Sequence, residues 1–272
     1  MSTARTPPVA LTIAGVDSGG GAGVAADLAT FGALGVHGTL VVTALTAQDT
    51  TKVHGALVVE TDFVALQLDA VLGDFDVAAA KTGMLASSRI IEALADRARA
   101  GELPPLVVDP VMVATSGSTL VEGNAVGALR RLIAHAQIVT PNLAEAEALV
   151  GRPVRTVAEM KDAARALVDL GARLAVVKGG HLAQSRALDV CDNGTSVVVL
   201  EAERVATRNV HGTGCTLSAA IAANLALGVA PVESVRRAKA FVTDALSRSA
   251  SWSLGHGPGP IAHVGSPRSS PS

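Results

Sequence analysis

The chain has 272 residues, 49% of them apolar and only 2% aromatic, with 22 Lys and Arg against 24 Asp and Glu. The near-zero charge and the lack of a basic run exclude a nucleic-acid binder, and no run of about 18 uninterrupted apolar residues is present to span a membrane. Two cysteines, Cys191 and Cys215, make no disulfide framework and no zinc-ligand spacing. The opening "MSTARTPP" lacks the apolar region of a signal peptide. These features predict a soluble cytoplasmic protein whose core is built from small aliphatic side chains.

Short apolar runs alternate with helical periods almost throughout. "VALTIAG" (9–15) reads as a buried strand, followed by a glycine loop and a helix with Val24, Leu28, Phe31 and Leu34 on one face, stopped by Gly35. Strands are predicted at 39–47 and 53–59, a helix from Asp62 to Leu72, a strand at 77–83, and a helix from Ser87 or Ser88 carrying Ile90, Ile91 and Leu94. "PLVVDP" (105–110), a helix near 123–134, "QIVTPN" (137–142), two helices within 143–170 and "RLAVVKGG" (173–180) continue the rhythm. "ALDVCDNGTSVVVLEA" (187–202) breaks it, because two strand-like runs flank "DNG", a hairpin signal. Helices at 214–227 and 231–249 follow, the first with Leu217, Ala220, Ile221 and Leu225 as one buried stripe, the second opening on Pro231. No repeat or linker interrupts 9–263, which predicts one α/β domain between disordered tails at 1–8 and 264–272. Its central sheet is mostly parallel, with the antiparallel hairpin able to pair at an edge.

The loop "GVDSGGGAGVAAD" satisfies G-x-G-x-x-A at Gly21 to Ala26, a dinucleotide fingerprint when taken alone. Two features argue against it: "VDS" separates the predicted strand end at Gly15 from the first glycine, and residues 36–48 hold no acid for a ribose. The remaining readings are a packing loop, or a loop whose bare backbone approaches a small substrate.

Four segments at predicted strand ends or helix starts hold the polar residues: "VDPVMVATSG" (108–117), "TPNLAEAE" (140–147), "VVKGGH" (176–181) and "HGTGCT" (211–216). In an open α/β sheet ligands bind beyond the carboxyl ends of the strands. Asp109, Asn142 and Glu145 are oxygen donors suited to Mg²⁺, Lys178 offers a point charge, and the amides of Gly212, Thr213, Gly214 and Cys215 lie at a helix N-terminus that favours an anion. Positioning and charge neutralisation are what phosphoryl transfer requires. Taken alone, Asn142 reads as a helix N-cap with Glu145 as its box partner, and Lys178 as a surface lysine. Their co-occurrence on one rim points to a site. No G-x-x-x-x-G-K-[ST] loop is present.

"LTIAGVDSGGGAGVAADLATFGALG", "VTALTAQDT", "KTGMLASS", "VVDPVMVATSG", "TPNLAEAEAL", "VVKGGHL" and "HGTGCTLSAAIAANLALG", in this order over about 9–263, resemble the hydroxymethylpyrimidine/phosphomethylpyrimidine kinases of thiamine biosynthesis, a branch of the ribokinase-like superfamily. The resemblance implies a three-layer ribokinase-like fold, with a mostly parallel sheet between helices. It also implies two ATP- and Mg²⁺-dependent phosphorylations of 4-amino-5-hydroxymethyl-2-methylpyrimidine, first to the monophosphate and then to the diphosphate. It assigns the Gln48 side-chain amide to the ring nitrogen and amino group of the pyrimidine, and Gly15, Asp27, Met84 and Val111 to the pocket, with Met84 against the ring. Asn142 and Glu145 go to the metal and its waters, Lys178 to ATP phosphates, and 212–215 to the anion hole. Cys215, its thiol acidified by the helix start, is expected to accept the substrate hydroxyl proton or to assist its loss. Segment 81–88 and the loop after Asp109 are candidates to close over the substrate, and a homodimer is implied.

"QDTTKV" departs from the family at Asp49 and Lys52, beside Gln48. Two other functions fit the same motifs: a pyridoxine/pyridoxal kinase, whose substrate is also a small nitrogen ring with a hydroxymethyl group, and a ligand-binding protein that has lost turnover. The retained Asp109, Asn142, Glu145 and Lys178 count against the second.

Overall fold

The computed structural model describes residues 6–112, 125–180 and 185–263. Expectations for the tails at 1–5 and 264–272, for the loop at 113–124 and for 181–184 fall outside the described residues. The strands are β1 (Val9–Asp17), β2 (His37–Gln48), β3 (Val53–Val58), β4 (Val77–Thr82), β5 (Leu106–Val108), β6 (Ile138–Val139), β7 (Ala175–Lys178), β8 (Arg186–Asp192) and β9 (Val197–Glu203). The helices are α1 (Gly23–Ala33), α2 (Thr61–Asp74), α3 (Ser88–Ala100), α4 (Ala125–Ile133), α5 (Leu143–Val150), α6 (Val157–Asp169), α7 (Thr213–Ala226) and α8 (Pro231–Ser249).

All nine strands form one sheet in the order β3-β2-β1-β4-β5-β6-β7-β8-β9. The inner pairs, from β2–β1 across to β6–β7, are parallel, while β2–β3, β7–β8 and β8–β9 are antiparallel. The predicted hairpin is β8–β9 at one edge. A second antiparallel pairing, β2–β3, closes the other edge. Strands β1 and β4 to β7 are largely buried on both faces, so they read as unbroken apolar runs.

Alternate residues of β1 serve opposite layers: Leu11 and Ile13 join a cluster with residues of α2 to α6, and Ala10 joins a cluster with α1, α7 and α8. That division makes three layers, with helices on both faces of the sheet. Local signals set the ends. Ser87, Asn142 and Thr156 cap α3, α5 and α6 through their side chains, and left-handed Gly101 and Gly151 stop α3 and α5.

Two expectations are corrected. Strand β1 does not stop at Gly15 but runs to Asp17, with an irregularity in its pairing between Ala14 and Val16. A Cβ on Gly15 would lie 2.2 Å from Met84 Cε, so the bare glycine lets the end of Met84 pack against the strand. Helix α7 is buried from Thr216 to Asn224 rather than along one stripe, because it packs on α1, α8 and strands β1, β4 and β5 at once. Its alanines allow that close approach. Among the described residues no helix is long and apolar enough to cross a membrane.

Candidate active site

Strands β4 to β7 deliver their last residues to one rim, and the N-terminus of α7 arrives there from the other side. Asp109, just beyond β5, is buried and holds three partners. Lys178 Nζ donates to its Oδ1 at 2.9 Å, Thr140 Oγ1 to the same oxygen at 3.1 Å, and Ser218 Oγ to Oδ2 at 3.2 Å. Burial alone would raise this carboxyl, but Lys178 and Lys81, with the hydrogen bonds of Lys178 and Thr140, hold it below the usual range. Asp109 is therefore a fixed anion. Lys178 is pushed upward in turn: burial opposes its charge, and Asp109 and Glu145 overcome that opposition.

Gly214 completes the contact. A Cβ there would lie 3.4 Å from Lys178 Nζ and 3.8 Å from Asp109 Oδ2, so the first turn of α7 lies directly against the ion pair. Gly212 begins the helix in the left-handed region at φ 81°, with no side-chain cap. Residues 212–215 therefore stand at the positive end of the helix dipole, with Gly214 beside Lys178, while the Thr213 amide donates to Val210 O at 3.3 Å. The structure brings these four residues, Asp109 and Lys178 together. Asn142 and Glu145 join through Lys178, whose amide donates to Pro141. Asn142 and Glu145 also form a reciprocal capping box, at 2.9 and 2.7 Å. Burial and the charge of Asp109 raise the Glu145 carboxyl to about 7 against the pull of Lys178. Among the described residues no group of three or more His, Cys, Asp or Glu is arranged to hold a metal; the donors present are two carboxylates and an amide oxygen.

The glycine loop belongs to the same rim, but not as a phosphate cradle. Asp17 turns its own carboxylate into the loop and accepts from the amides of Gly19, Gly21 and Ala22 at 2.8, 3.1 and 2.9 Å. Those donors are already satisfied by an internal anion, which is the physical reason the dinucleotide pattern does not act as one. Two of the glycines serve packing. A Cβ on Gly21 would lie 2.4 Å from His211 Cδ2, and one on Gly23 (φ 58°) 2.3 Å from Gly15 O.

At the proposed acceptor end, Gly15 and Met84 touch, and the Gly15 amide donates to Met84 O at 3.1 Å. Gln48 ends β2, half-buried, its backbone tied to the hydroxyl of Ser18 in both directions, at 2.7 and 2.8 Å. Val111 is half-buried two residues beyond Asp109. The departing Asp49 organises the β2–β3 turn, accepting from Thr51, Lys52 and His54. Thr50 then receives the amides of His256 and Gly257, so the C-terminal "GHGPGP" lies on this turn.

The model of the family described as phosphomethylpyrimidine kinase matches residues 17–262. The chain belongs to the phosphomethylpyrimidine kinase family. A hydroxymethylpyrimidine/phosphomethylpyrimidine kinase of Rhizobium meliloti is 50% identical over 258 residues, covering 94% of this chain and 96% of the relative. An ADP complex of Bacillus subtilis pyridoxal kinase is similar in structure, with a TM-score of 0.87 and 38% identity over 95% of this chain and 98% of that one. A phosphomethylpyrimidine kinase from Clostridium difficile 630 gives a TM-score of 0.78 at 38% identity, over 88% of this chain and 99% of its own. The ribokinase-like fold expected from the motifs is the fold observed.

Within this family member, Asp27 is fully buried instead of facing open space. Its carboxylate accepts from Lys81 Nζ at 2.9 and 3.1 Å and from Thr12 Oγ1 at 2.6 Å. Burial raises it against the pull of Lys81. Lys81 is the residue that motif reading passed over, although a lysine inside "VAAAKTG" is conspicuous in a strand otherwise made of small apolar residues. Asp17 and His211 were also passed over. They are 194 positions apart, and nothing local pairs them. The expectation of an acidified Cys215 is corrected: burial pushes its thiol up to about 11, and the nearby Lys81 offsets this only in part. The helix start is outweighed because the sulfur is desolvated and also feels Asp27 and Asp109.

Proposed function

We propose that this chain transfers the γ-phosphoryl group of ATP to the hydroxymethyl oxygen of 4-amino-5-hydroxymethyl-2-methylpyrimidine, and then phosphorylates the monophosphate, as a kinase of thiamine biosynthesis. The observation that carries the reading is the Asp109–Lys178 pair held against Gly214 at the start of α7. In the transfer an oxygen–phosphorus bond forms to the acceptor, the bond to ADP breaks, and the acceptor hydroxyl proton passes to an oxygen of the transferred phosphoryl group or to solvent, since a loose transition state needs little help from a base. Lys178 and the amides of 212–215 stabilise the charge on the transferring group, which is the main catalytic need of a loose transition state. Gln48 reads the pyrimidine edge, while Met84, Gly15 and Val111 shape its pocket. Asp27 acts from beneath by holding Lys81.

Asp109, Asn142 and Glu145 are the residues that would hold Mg²⁺. Two carboxylates sharing one lysine, with Glu145 raised to about 7 by burial and by Asp109, are hard oxygen donors short of positive charge, which suits a divalent cation. When bound, that ion supplies further neutralisation of phosphate charge. Cys215 enters as the neutral thiol, so the turn's backbone and Lys178 are assigned most of the stabilisation. We further place residues 9–263 in one kinase domain, the protein in the cytoplasm, and its active form in a homodimer.

Product analysis after incubation with ATP, Mg²⁺ and the hydroxymethylpyrimidine tests the reading; absence of both phosphate esters overturns it. The TM-score of 0.87 to a pyridoxal kinase favours one second reading, pyridoxal phosphorylation. Steady-state kinetics on the two alcohols separates them, and a higher kcat/KM for pyridoxal would replace the pyrimidine as substrate.

A further inference from the structure

We infer that Asp17 and His211 form a positioning latch that registers the acceptor end of the site against the phosphoryl-transfer turn; this rests on the kinase reading above. The loop 18–22 has almost no side chains with which to hold itself, and Ser18, Gly19 and Gly20 are exposed. Two attachments compensate. Ser18 binds the backbone of Gln48, the residue assigned to the pyrimidine. Asp17 gathers three loop amides and accepts from His211 Nε2 at 2.8 Å.

His211 is the residue before Gly212, so its backbone leads straight into the turn. It is anchored independently, with its amide on Gly259 O at 3.1 Å and its carbonyl receiving Ile261 N at 3.4 Å. The two segments also meet without side chains: a Cβ on Gly212 would lie 1.8 Å from Gly21 O. The loop is thus fastened to Gln48 on one side and to residues 211–212 on the other. The spacing between acceptor and phosphoryl group is set through it. In-line transfer is sensitive to displacements of about 1 Å, so slack in this link lowers turnover more than binding. Asp17 is well suited to the task. Burial would raise its carboxyl, yet the hydrogen bond from His211 and the loop amides hold it below the usual range, leaving it ionised to accept all four donors.

The test compares wild type with Asp17→Asn, His211→Phe, the double variant, and His211→Gln, which restores a donor near the original nitrogen. Each is first checked for cooperative melting. The expected result is a kcat lowered about 30-fold or more in each disruptive single variant, with KM for acceptor and ATP within about threefold. The double variant falls no further than the worse single one, as coupled residues do, and His211→Gln recovers about tenfold of the loss. Amide exchange at 19–22 and 212–215 quickens in the disruptive variants. Folded variants with unchanged kcat, losses that multiply, or no recovery in His211→Gln overturn the latch. If the buried substitutions do not fold, Ser18→Ala cuts the other attachment at an exposed position. It is expected to lower kcat roughly fivefold at unchanged melting temperature, and an unchanged kcat there overturns the proposal. A wild type that phosphorylates nothing overturns the kinase reading instead, and the exchange at both segments still decides whether the latch exists.

Discussion

Cys215 sits where burial, Asp27 and Asp109 push its thiol up and Lys81 pulls it down, and the upward push wins, at about 11. Against an ordinary thiol the thiolate fraction at pH 7.5 falls by about 100-fold. Iodoacetamide should therefore modify Cys215 on the order of 100-fold more slowly than an unstructured peptide thiol, as read by peptide mass spectrometry. A rate equal to the peptide's would show an acidified cysteine and restore the general-base assignment. The same environment ranks the side chains of the site. Lys178→Ala removes the point charge and leaves Asp109 buried without its main partner, with an expected loss of about 10²–10³ in kcat. Cys215→Ala removes a neutral thiol and is expected to cost about tenfold. Steady-state kinetics on folded variants checks the order, and an alanine at 215 as damaging as one at 178 would reverse it.

At the scale of elements, the start of α7 and the strand β4 carry constraints that are easily broken. Gly212 holds a left-handed conformation, and a Cβ there would run into the backbone of Gly21. Backbone cannot swing aside as a side chain can. Gly212→Ala is expected to cost about 3 kcal/mol in denaturant unfolding, from the left-handed strain and the overlap together. A change under about 0.5 kcal/mol would show that the turn relaxes freely. Lys81 and Asp27 are both fully buried and tie β4 to α1 beneath the site. Breaking such a pair strands one charge, so Lys81→Met is expected to destabilise by about 3–5 kcal/mol, whereas Lys81→Met with Asp27→Leu recovers most of the loss. Urea melts of the three proteins test this, and equal stability in the single and double variants would contradict it.

Over the whole molecule the two sheet edges differ. Strand β9 carries Glu201 and Glu203, the usual protection of an exposed edge. Strand β3, "VHGALV", has no acid and no lysine or arginine, and Leu57 stands 65% exposed, with Phe63 and Leu66 exposed on the following helix. An unguarded edge flanked by apolar side chains suits association with a second copy. Leu57→Asp with Leu66→Asp is expected to convert the proposed homodimer to a monomer in light scattering after size exclusion, with melting still cooperative. A wild type that is already monomeric at tens of micromolar would remove the dimer from the proposal.

How much of this was legible beforehand follows from the range of the forces involved. Apolar periodicity, capping residues and turn glycines act within a few positions, so the chain alone specified the order and approximate ends of the elements, the hairpin after β7 and the glycine turn before α7. It also supplied the polar residues on the rim, because strand ends in a parallel sheet share a side. The second antiparallel edge, the burial of α7 on all sides, and the pairings Asp17–His211 and Lys81–Asp27 depend on which segments meet in space. They join residues 194 and 54 positions apart, and no local pattern encodes such pairs. The state of Cys215 belongs with them. A helix start is visible in sequence, but the desolvation that outweighs it exists only once the surrounding layers have closed.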